Sequence, residues 1–255
     1  MFLAIDIGNT NITLGVYDSE RLVATWRLAT VHDRMSDEYG IALLQLMAHK
    51  GIGAGEITGA AIASVVPALT GVFRRVCVDY LDEDALVVDT GVKTGVRIRY
   101  ENPREVGADR VVDCAAVQAK YGGPACVVDF GTATTFDAIS REGDYLGGAI
   151  APGIGIAAEA LFSRASKLYR VEIAAPQKAI GANTASAMQS GIFFGYVGLV
   201  EGLVARFRAE LGEDMQVIAT GGLAEVVARE TKVIQHVDPW LTLEGLRLIY
   251  EMNRK

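Results

Sequence analysis

Two segments of the chain share one plan of strands and turns, and this internal repeat constrains the fold more than any other feature. The segments are LAIDIGNTNITLGVYDSERL at 3–22 and CVVDFGTATTFDAISREGDY at 126–145. In each, a short apolar run ends in Asp-x-Gly, and a polar turn, an alternating run, a second polar turn and a third run follow. Because a repeated segment indicates a repeated structural unit, the sequence predicts two copies of one three-stranded unit.

Helical patterns follow both copies of the repeat. The predicted helices lie at 35–50, from Pro67, at 104–121, at 182–211 and at 240–252. Helices that interleave with apolar strands favour mixed α/β sheets covered by helices. We therefore predict an α/β fold of two duplicated βββαβα domains, residues 1–117 and residues 118–255, with an interdomain cleft.

Charge and composition narrow the class of protein. The chain has 24 Lys and Arg against 31 Asp and Glu, and this formal charge of −7 gives no support for binding nucleic acid or anionic lipid. No apolar run approaches the roughly 18 residues of a membrane span, and the N-terminus is typical of a strand rather than a signal peptide. The three cysteines have no metal-ligand spacing, and we expect them to be buried and reduced. These features predict a cytoplasmic protein without a nucleic-acid or membrane partner.

The two Asp-x-Gly turns carry the main functional signal. Gly8 and Gly131 allow a tight turn and a close approach of the backbone to a ligand. The polar residues that follow each glycine offer backbone N–H groups, and concave runs of such groups bind phosphate oxygens. Asp6 and Asp129 end strands, where a carboxylate can reach Mg²⁺ on a substrate phosphate. The alternative is an ordinary hairpin with glycine in a left-handed position, and the occurrence of two such turns favours a phosphate clamp.

A second signal is the adjacent pair Asp109 and Arg110 at a helix start. A carboxylate beside a cleft accepts a hydroxyl proton during phosphoryl transfer, and an arginine holds an anionic group through two parallel hydrogen bonds. A surface Asp-Arg pair at a helix start is the alternative explanation.

Two glycine-rich stretches are further signals. The stretch 147–155 places glycines at a strand-to-helix transition, where a helix N-terminus approaches an anion, and it also mimics a dinucleotide-binding fingerprint. The dinucleotide interpretation leaves both Asp-x-Gly turns unexplained. Gly221-Gly222 either packs on a nucleotide or forms a tight strand-to-helix turn. The sequence has no P-loop, no zinc-binding cluster and no Gly-x-Ser-x-Gly elbow.

These signals, in this order, resemble the type III pantothenate kinases of the acetate and sugar kinase, heat-shock chaperone and actin superfamily. The motifs that carry the resemblance are Asp6-Ile7-Gly8-Asn9-Thr10, Gly107-Ala108-Asp109-Arg110, Asp129-Phe130-Gly131-Thr132-Ala133-Thr134, Gly147-Gly148-x-Ile150-x-Pro152-Gly153 and Gly181-x-Asn183-Thr184. The resemblance spans nearly the whole chain. It implies two ribonuclease H-like, actin-like ATPase domains and ATP-dependent phosphorylation of pantothenate, the first step of coenzyme A biosynthesis.

The same resemblance implies roles for individual residues. The implied ATP-binding residues are Asp6, Ile7, Gly8, Asn9, Thr10, Asn11, Ile12, Thr13 and Thr132. The implied pantothenate contacts are Tyr100, Gly107, Ala108, Asp109, Arg110 and Thr184. Asp109 would be the general base, Asp129 would bind a monovalent cation (K⁺ or NH₄⁺), and Mg²⁺ would accompany ATP. A homodimer is also implied, and the helix at 182–211 is the candidate interface.

Two rival functions stay open at this point. The first is a kinase of the same superfamily that acts on a sugar, although such enzymes are usually longer. The second is a non-catalytic, nucleotide-dependent regulator or scaffold, although Asp6, Asp109, Arg110, Asp129 and Thr132 are all present.

Overall fold

A computed structural model describes residues 1–254, and contacts divide the chain into two compact units. Unit 1 comprises Met1–Val96, Glu101–Ala116 and the chain from Leu241 onward. Unit 2 comprises Arg97–Tyr100 and Val117–Trp240. The strands are β1 (Phe2–Ile7), β2 (Asn11–Asp18), β3 (Arg21–Ala29), β4 (Ala60–Ser64), β5 (Leu86–Val87), β6 (Ala125–Phe130), β7 (Ala133–Ile139), β8 (Tyr145–Pro152), β9 (Gln216–Gly221) and β10 (His236–Val237). The helices are α1 (Ser36–His49), α2 (Pro67–Leu81), α3 (Ala108–Lys120), α4 (Ile154–Arg164), α5 (Thr184–Leu211), α6 (Ala224–Ala228) and α7 (Leu241–Asn253).

The sheet of unit 1 has the strand order β3-β2-β1-β4-β5. Strand β1 is central: it pairs antiparallel with β2 and parallel with β4. Leu3, Ile5 and Ile7 of β1 are fully buried, and they share one hydrophobic cluster with side chains of α1 and α2. Alternate residues of a strand point to one face, so helices α1 and α2 cover this face of the sheet.

Helix α7 packs against β1, β2 and β4 of unit 1. Leu243 of α7 lies against Gly15 of β2, where a Cβ would come within 2.7 Å of the Leu243 side chain. Gly245 lies against α3, since its own Cβ would come within 2.1 Å of the Val112 carbonyl oxygen. Glycine at both positions therefore allows close packing of α7. The prediction assigned residues 118–255 to a second domain, but this last helix groups with unit 1 because its apolar face packs there.

The sheet of unit 2 has the strand order β10-β9-β6-β7-β8. Strand β6 is central, antiparallel to β7 and parallel to β9. The two sheets therefore have the same connectivity, with β6, β7, β8, β9 and β10 in the places of β1, β2, β3, β4 and β5. The predicted repeat and the predicted α/β fold of duplicated domains are confirmed.

Helix α5 supplies much of the core of unit 2. Its buried side chains are Met188, Ser190, Ile192, Phe193, Tyr196, Val197, Val200 and Val204. Among residues 1–254, α5 is the one helix long and apolar enough to cross a membrane by length and composition, and 44% of its most apolar window is buried. Core helices of soluble proteins pass the same test, so this is weak evidence for a span.

Several element boundaries differ from the predictions. The helix predicted at 104–121 begins at Ala108, because Pro103–Glu105 forms a separate 3₁₀ turn capped by the Asn102 side chain. The helix predicted at 35–50 begins at Ser36 and follows the cap residue Met35, whose backbone N–H donates to the Glu38 carboxylate at 2.9 Å. The three cysteines are free and buried, as expected.

Candidate active site

The first Asp-x-Gly turn joins β1 to β2 in unit 1. Asp6 lies opposite Thr13 in the register, and the Gly8 N–H donates to the Asn11 carbonyl at 3.0 Å. A Cβ on Gly8 would lie 3.1 Å from that carbonyl oxygen, so any side chain would crowd the turn. Residues 9–11 are exposed. The turn thus presents its backbone to solvent, as a phosphate-binding loop must.

The predicted ATP-binding stretch 6–13 contains two kinds of residue. Ile7 and Ile12 are fully buried members of the unit 1 core and pair with each other in the register. A ligand can therefore meet these two residues only through their main chain. Asp6 and Thr13 are partly accessible, and their side chains can take part directly.

The residue that follows β3 holds the first turn. The Thr30 hydroxyl donates to the Gly8 carbonyl at 2.6 Å, and the Thr30 backbone N–H donates to the Thr10 carbonyl at 3.0 Å. Sequence reasoning gave Thr30 no role. A threonine at a strand end has no distinctive local pattern, and these contacts span about 20 residues of sequence.

Asp109 lies in the first turn of α3, also in unit 1. Burial raises the pKa of the Asp109 carboxyl above its ordinary value, and the backbone N–H and the positive charge of Arg110 partly oppose this rise. The Arg110 N–H donates to Asp109 Oδ1 at 2.8 Å. A Cβ on Gly107 would lie 2.5 Å from the same oxygen. Glycine at 107 therefore leaves space for the carboxylate in this position.

Val65 connects this helix start to the first turn within unit 1. The Val65 backbone N–H donates to the Ile7 carbonyl at 3.1 Å, beside the turn. The Val65 side chain lies 3.4 Å from the position that a Cβ of Gly107 would occupy. The structure therefore brings the Asp6–Thr13 turn and the Gly107–Arg110 motif to the same edge of unit 1.

The second Asp-x-Gly turn joins β6 to β7 in unit 2. Two glycines from distant segments pack against it. The Gly153 N–H donates to the Thr132 carbonyl at 3.1 Å, and a Cβ on Gly153 would come within 2.2 Å of that oxygen. Gly221 has a φ of +89°, and a Cβ there would come within 2.4 Å of Asp129 Oδ1. Glycine is thus required at both positions for the backbone to approach the turn.

These contacts explain the two glycine-rich stretches. Gly221 supports the Asp129 turn from the end of β9, and Gly148 lies so close to β7 that a Cβ would be 1.9 Å from the Phe136 carbonyl oxygen. Residues 165–183, which follow α4, contain no strand. The dinucleotide interpretation is therefore wrong, because it needs a strand after that helix.

The Asp129 carboxylate and one backbone carbonyl both lie close to Gly131 in the second turn. Asp129 Oδ2 and the Ala133 carbonyl oxygen both lie within 3.5 Å of the position that a Cβ of Gly131 would take. Carboxylate and carbonyl oxygens are the donors that hard cations prefer. Within residues 1–254, no group of three or more His, Cys, Asp or Glu side chains forms a metal-binding cluster.

Tyr100 is held against β8 in unit 2. The Arg99 N–H donates to the Tyr145 carbonyl at 2.8 Å, and the Tyr145 N–H donates to the Arg97 carbonyl at 2.9 Å. Gly147, with a φ of +124°, lets the Tyr100 ring approach within 3.3 Å of the place of its missing Cβ. The Tyr100 side chain remains 40% exposed and available to a ligand.

Thr184 begins α5 and borders an open groove of about 710 Å³ in unit 2. Asn183 caps this helix, and its side-chain oxygen accepts from the Ser186 N–H at 2.9 Å. The groove is lined by Ala157, Leu161, Leu168, Gly181, Ala182, Asn183, Thr184, Ala187, Met188, Gly191, Ile192 and Tyr196. Its lining is mainly apolar, with polar groups concentrated at the helix start.

Comparisons with known proteins identify the family of this chain. The sequence matches the model of the type III pantothenate kinase family over residues 2–206. A type III pantothenate kinase of Moorella thermoacetica is 56% identical over 253 residues, which is 99% of this chain and 100% of that protein. The corresponding protein of Geobacter sulfurreducens is 54% identical over 255 residues, with both chains fully covered.

Solved structures with low sequence identity share the fold. A Campylobacter jejuni protein described under the Baf family of transcriptional activators aligns with a TM-score of 0.62 at 21% identity, covering 98% of each chain. An inorganic polyphosphate/ATP-glucomannokinase from an Arthrobacter strain aligns with a TM-score of 0.51 at 14% identity, covering 99% of each chain. On the family match and the full-length relatives, the chain belongs to the type III pantothenate kinase family and is a kinase.

Proposed function

We propose that this protein transfers the γ-phosphoryl group of ATP to the hydroxyl of pantothenate, the first step of coenzyme A biosynthesis. The observation that carries the proposal is Asp109, a partly buried carboxylate with a raised pKa, which shares an edge of unit 1 with the Asp6–Thr13 turn. The family supports the substrate, since relatives more than half identical over their full length are type III pantothenate kinases.

Asp109 is the proposed general base. A carboxylate whose pKa is raised by burial takes a proton more readily than an ordinary aspartate. It would accept the hydroxyl proton of pantothenate as the oxygen attacks phosphorus. Because phosphoryl transfer depends mainly on positioning and electrostatic stabilisation, the fixed orientation of this carboxylate matters as much as its basicity.

The proposed ATP contacts are residues 6–13 and Thr132. The backbone of the first turn would bind phosphate oxygens, and Ile7 and Ile12 would contribute through the main chain alone. Asp6 stands at the end of β1, where its carboxylate would hold Mg²⁺ through water. When bound, Mg²⁺ neutralises the phosphate charge during transfer.

We assign the substrate contacts to Tyr100, Gly107, Ala108, Arg110 and Thr184. The Arg110 guanidinium would pair with the pantothenate carboxylate through parallel hydrogen bonds. The ring of Tyr100, fixed on Gly147, would cover an apolar part of the substrate. Thr184 offers a hydroxyl at a helix N-terminus, where a carboxylate or amide oxygen is favoured.

Asp129 is the proposed ligand of a monovalent cation, K⁺ or NH₄⁺. The carboxylate and carbonyl oxygens around Gly131 fit such an ion, which prefers several oxygen donors. Gly221 would fix the Asp129 carboxylate from the end of β9.

A homodimer through α5 is part of the same proposal. Gly191, Gly195 and Gly198 line one face of this helix, and a Cβ on any of them would meet nothing within 4 Å. Small residues let two helices approach closely. A Gly195→Arg variant should therefore elute as a monomer in size-exclusion chromatography with light scattering, while the parent protein elutes as a dimer.

The deciding experiment is a coupled ADP-release assay with Mg-ATP and pantothenate, run in KCl and in NaCl. Pantothenate-dependent turnover that requires K⁺ supports both the reaction and the cation site at Asp129. Equal turnover in the two salts keeps the reaction and removes the cation assignment. Turnover with hexoses or N-acetylhexosamines but not with pantothenate would replace this proposal with the sugar kinase alternative.

A further inference from the structure

The exposed Asp-x-Gly turn of unit 1 is held by residues that belong to no recognised motif. Thr30, the residue after β3, contributes two hydrogen bonds: its hydroxyl to the Gly8 carbonyl at 2.6 Å and its N–H to the Thr10 carbonyl at 3.0 Å. Apart from these, the Gly8 N–H to Asn11 carbonyl bond closes the turn on itself. Thr30 therefore attaches the turn to the neighbouring β3 end.

Thr30 is itself held in place from both sides by Tyr39 of α1. The Tyr39 hydroxyl accepts from the Val31 N–H at 3.0 Å and lies 3.3 Å from the Ala29 carbonyl and 3.2 Å from the Val31 carbonyl. Its ring is fully buried, 4.8 Å from the Phe73 ring. A rigid core residue thus fixes the two neighbours of Thr30.

The consequence for a ligand follows from peptide geometry. The peptide unit is planar and trans, so a carbonyl and the N–H of the next residue point in opposite directions. Holding the Gly8 carbonyl toward Thr30 therefore turns the Asn9 N–H away from Thr30. Holding the Thr10 carbonyl turns the Asn11 N–H in the same way. The backbone donors of the turn are thus oriented before any phosphate arrives.

We propose that Thr30 and Tyr39 are positioning residues that preorganise the backbone N–H groups of the first turn for the phosphates of ATP. The inference rests on the proposed role of residues 6–13 as the ATP phosphate loop. Neither side chain touches the reacting atoms in this scheme. Their effect is to remove the ordering cost that a mobile turn would incur on binding nucleotide.

The test compares Mg-ATP binding by isothermal calorimetry, without pantothenate, in Thr30→Val, Thr30→Ser and the parent protein. Valine keeps the shape of threonine but removes the donor to Gly8, while serine keeps the donor. We expect Thr30→Val to bind Mg-ATP about fivefold more weakly, which corresponds to about 1 kcal/mol, the net worth of one hydrogen bond. The affinity of Thr30→Ser for Mg-ATP should remain within about twofold of the parent, because serine keeps the hydroxyl that donates to the Gly8 carbonyl.

Steady-state kinetics separate positioning from general destabilisation. In Thr30→Val and in Tyr39→Phe, the KM for ATP should rise while the KM for pantothenate stays constant. Two control variants should leave the KM for ATP unchanged. Thr25→Val makes the same substitution elsewhere on β3, opposite Gly15. Tyr80→Phe removes a different tyrosine hydroxyl, which is bonded to Asp37. The double variant Thr30→Val with Tyr39→Phe should be less impaired than the product of the single effects, because both act on one segment.

Parent-like Mg-ATP affinity in both Thr30→Val and Tyr39→Phe would overturn the inference. So would weakening of equal size in Thr30→Ser and Thr30→Val, since the donor would then be irrelevant. The binding assay also keeps the two proposals apart. A parent protein that binds Mg-ATP but does not turn over pantothenate refutes the proposed function and leaves the positioning role of Thr30 measurable.

Discussion

Replacing Asp109 with asparagine should lower catalysis without lowering stability, because the Asp109 carboxylate is largely buried. Asparagine has nearly the same shape, so it can occupy the space that Gly107 leaves open and can still accept the Arg110 N–H at its amide oxygen. It cannot take a proton from a hydroxyl. General base catalysis contributes about 10²- to 10⁴-fold to rate, so we expect kcat to fall about 10³-fold, a barrier increase of about 4 kcal/mol.

The stability of the same variant should move in the opposite direction. Burial raises the pKa of Asp109 in the folded state above its unfolded value, so the ionised form is disfavoured by folding. For such an acid, stability is greatest below the unfolded pKa and is lost as pH rises through the folded pKa. Asparagine is neutral at every pH, so the variant does not lose this stability as the pH rises. The Asp109→Asn variant should therefore unfold at the same or a higher temperature than the parent at pH 7, and the difference should shrink toward pH 4.

The assay measures ADP release and thermal unfolding on the same preparations from pH 4 to pH 8. In the parent, kcat/KM should fall as pH drops through the raised pKa of Asp109, and this limb should be absent from the residual activity of the variant. Parent-like turnover in Asp109→Asn would refute the general base assignment. A large fall in unfolding temperature at pH 7 would refute the argument that the buried charge is costly.

Other parts of the structure give sharper stability predictions. Gly153→Ala should lower the unfolding temperature by about 5 °C, since its Cβ would overlap the Thr132 carbonyl and overpacking costs about 1–3 kcal/mol. The control is Gly155→Ala in α4, whose Cβ would meet nothing within 4 Å, and this variant should raise the unfolding temperature instead. If differential scanning fluorimetry shows that both variants lower the unfolding temperature, or that both raise it, the contact argument is contradicted. Tyr145→Phe removes a 3.0 Å donor to the buried Asp137 carboxylate and should cost about 1–3 kcal/mol in urea unfolding, whereas a loss below 0.5 kcal/mol would show that water replaces this donor.

Local sequence patterns were sufficient for the repeat, the central strands and the long helices. Apolar alternation and Asp-x-Gly turns depend on neighbours within a few residues, and these neighbours decide strand and turn formation. Short edge elements were less predictable. The edge strand β10 has only two residues, His236–Val237, and its position is fixed by pairing with β9 rather than by a local pattern.

Contacts between distant segments set the details that sequence reasoning left open. Gly221 had two interpretations, nucleotide packing or a tight turn, and the deciding neighbour is Asp129, about 90 residues away in sequence. The grouping of α7 with unit 1 likewise depends on Leu243 and Gly245 meeting Gly15 and Val112. No local pattern contains such pairs.

Comparison of the two repeats shows which supports of the first turn are imposed by the fold. In each unit, the residue just after the third strand donates its backbone N–H to the carbonyl just before the second strand: Thr30 to Thr10, and Gly153 to Thr132. This backbone bond is common to both copies. The side-chain bond from Thr30 to Gly8 is not, because the equivalent position in unit 2 is a glycine. The first turn is also one residue longer than the second, since Ile7 pairs with Ile12 whereas Phe130 pairs with Thr134. The backbone bond is therefore the support that both copies share, and the Thr30 hydroxyl is a support specific to the longer first turn, where it orients the Gly8 peptide.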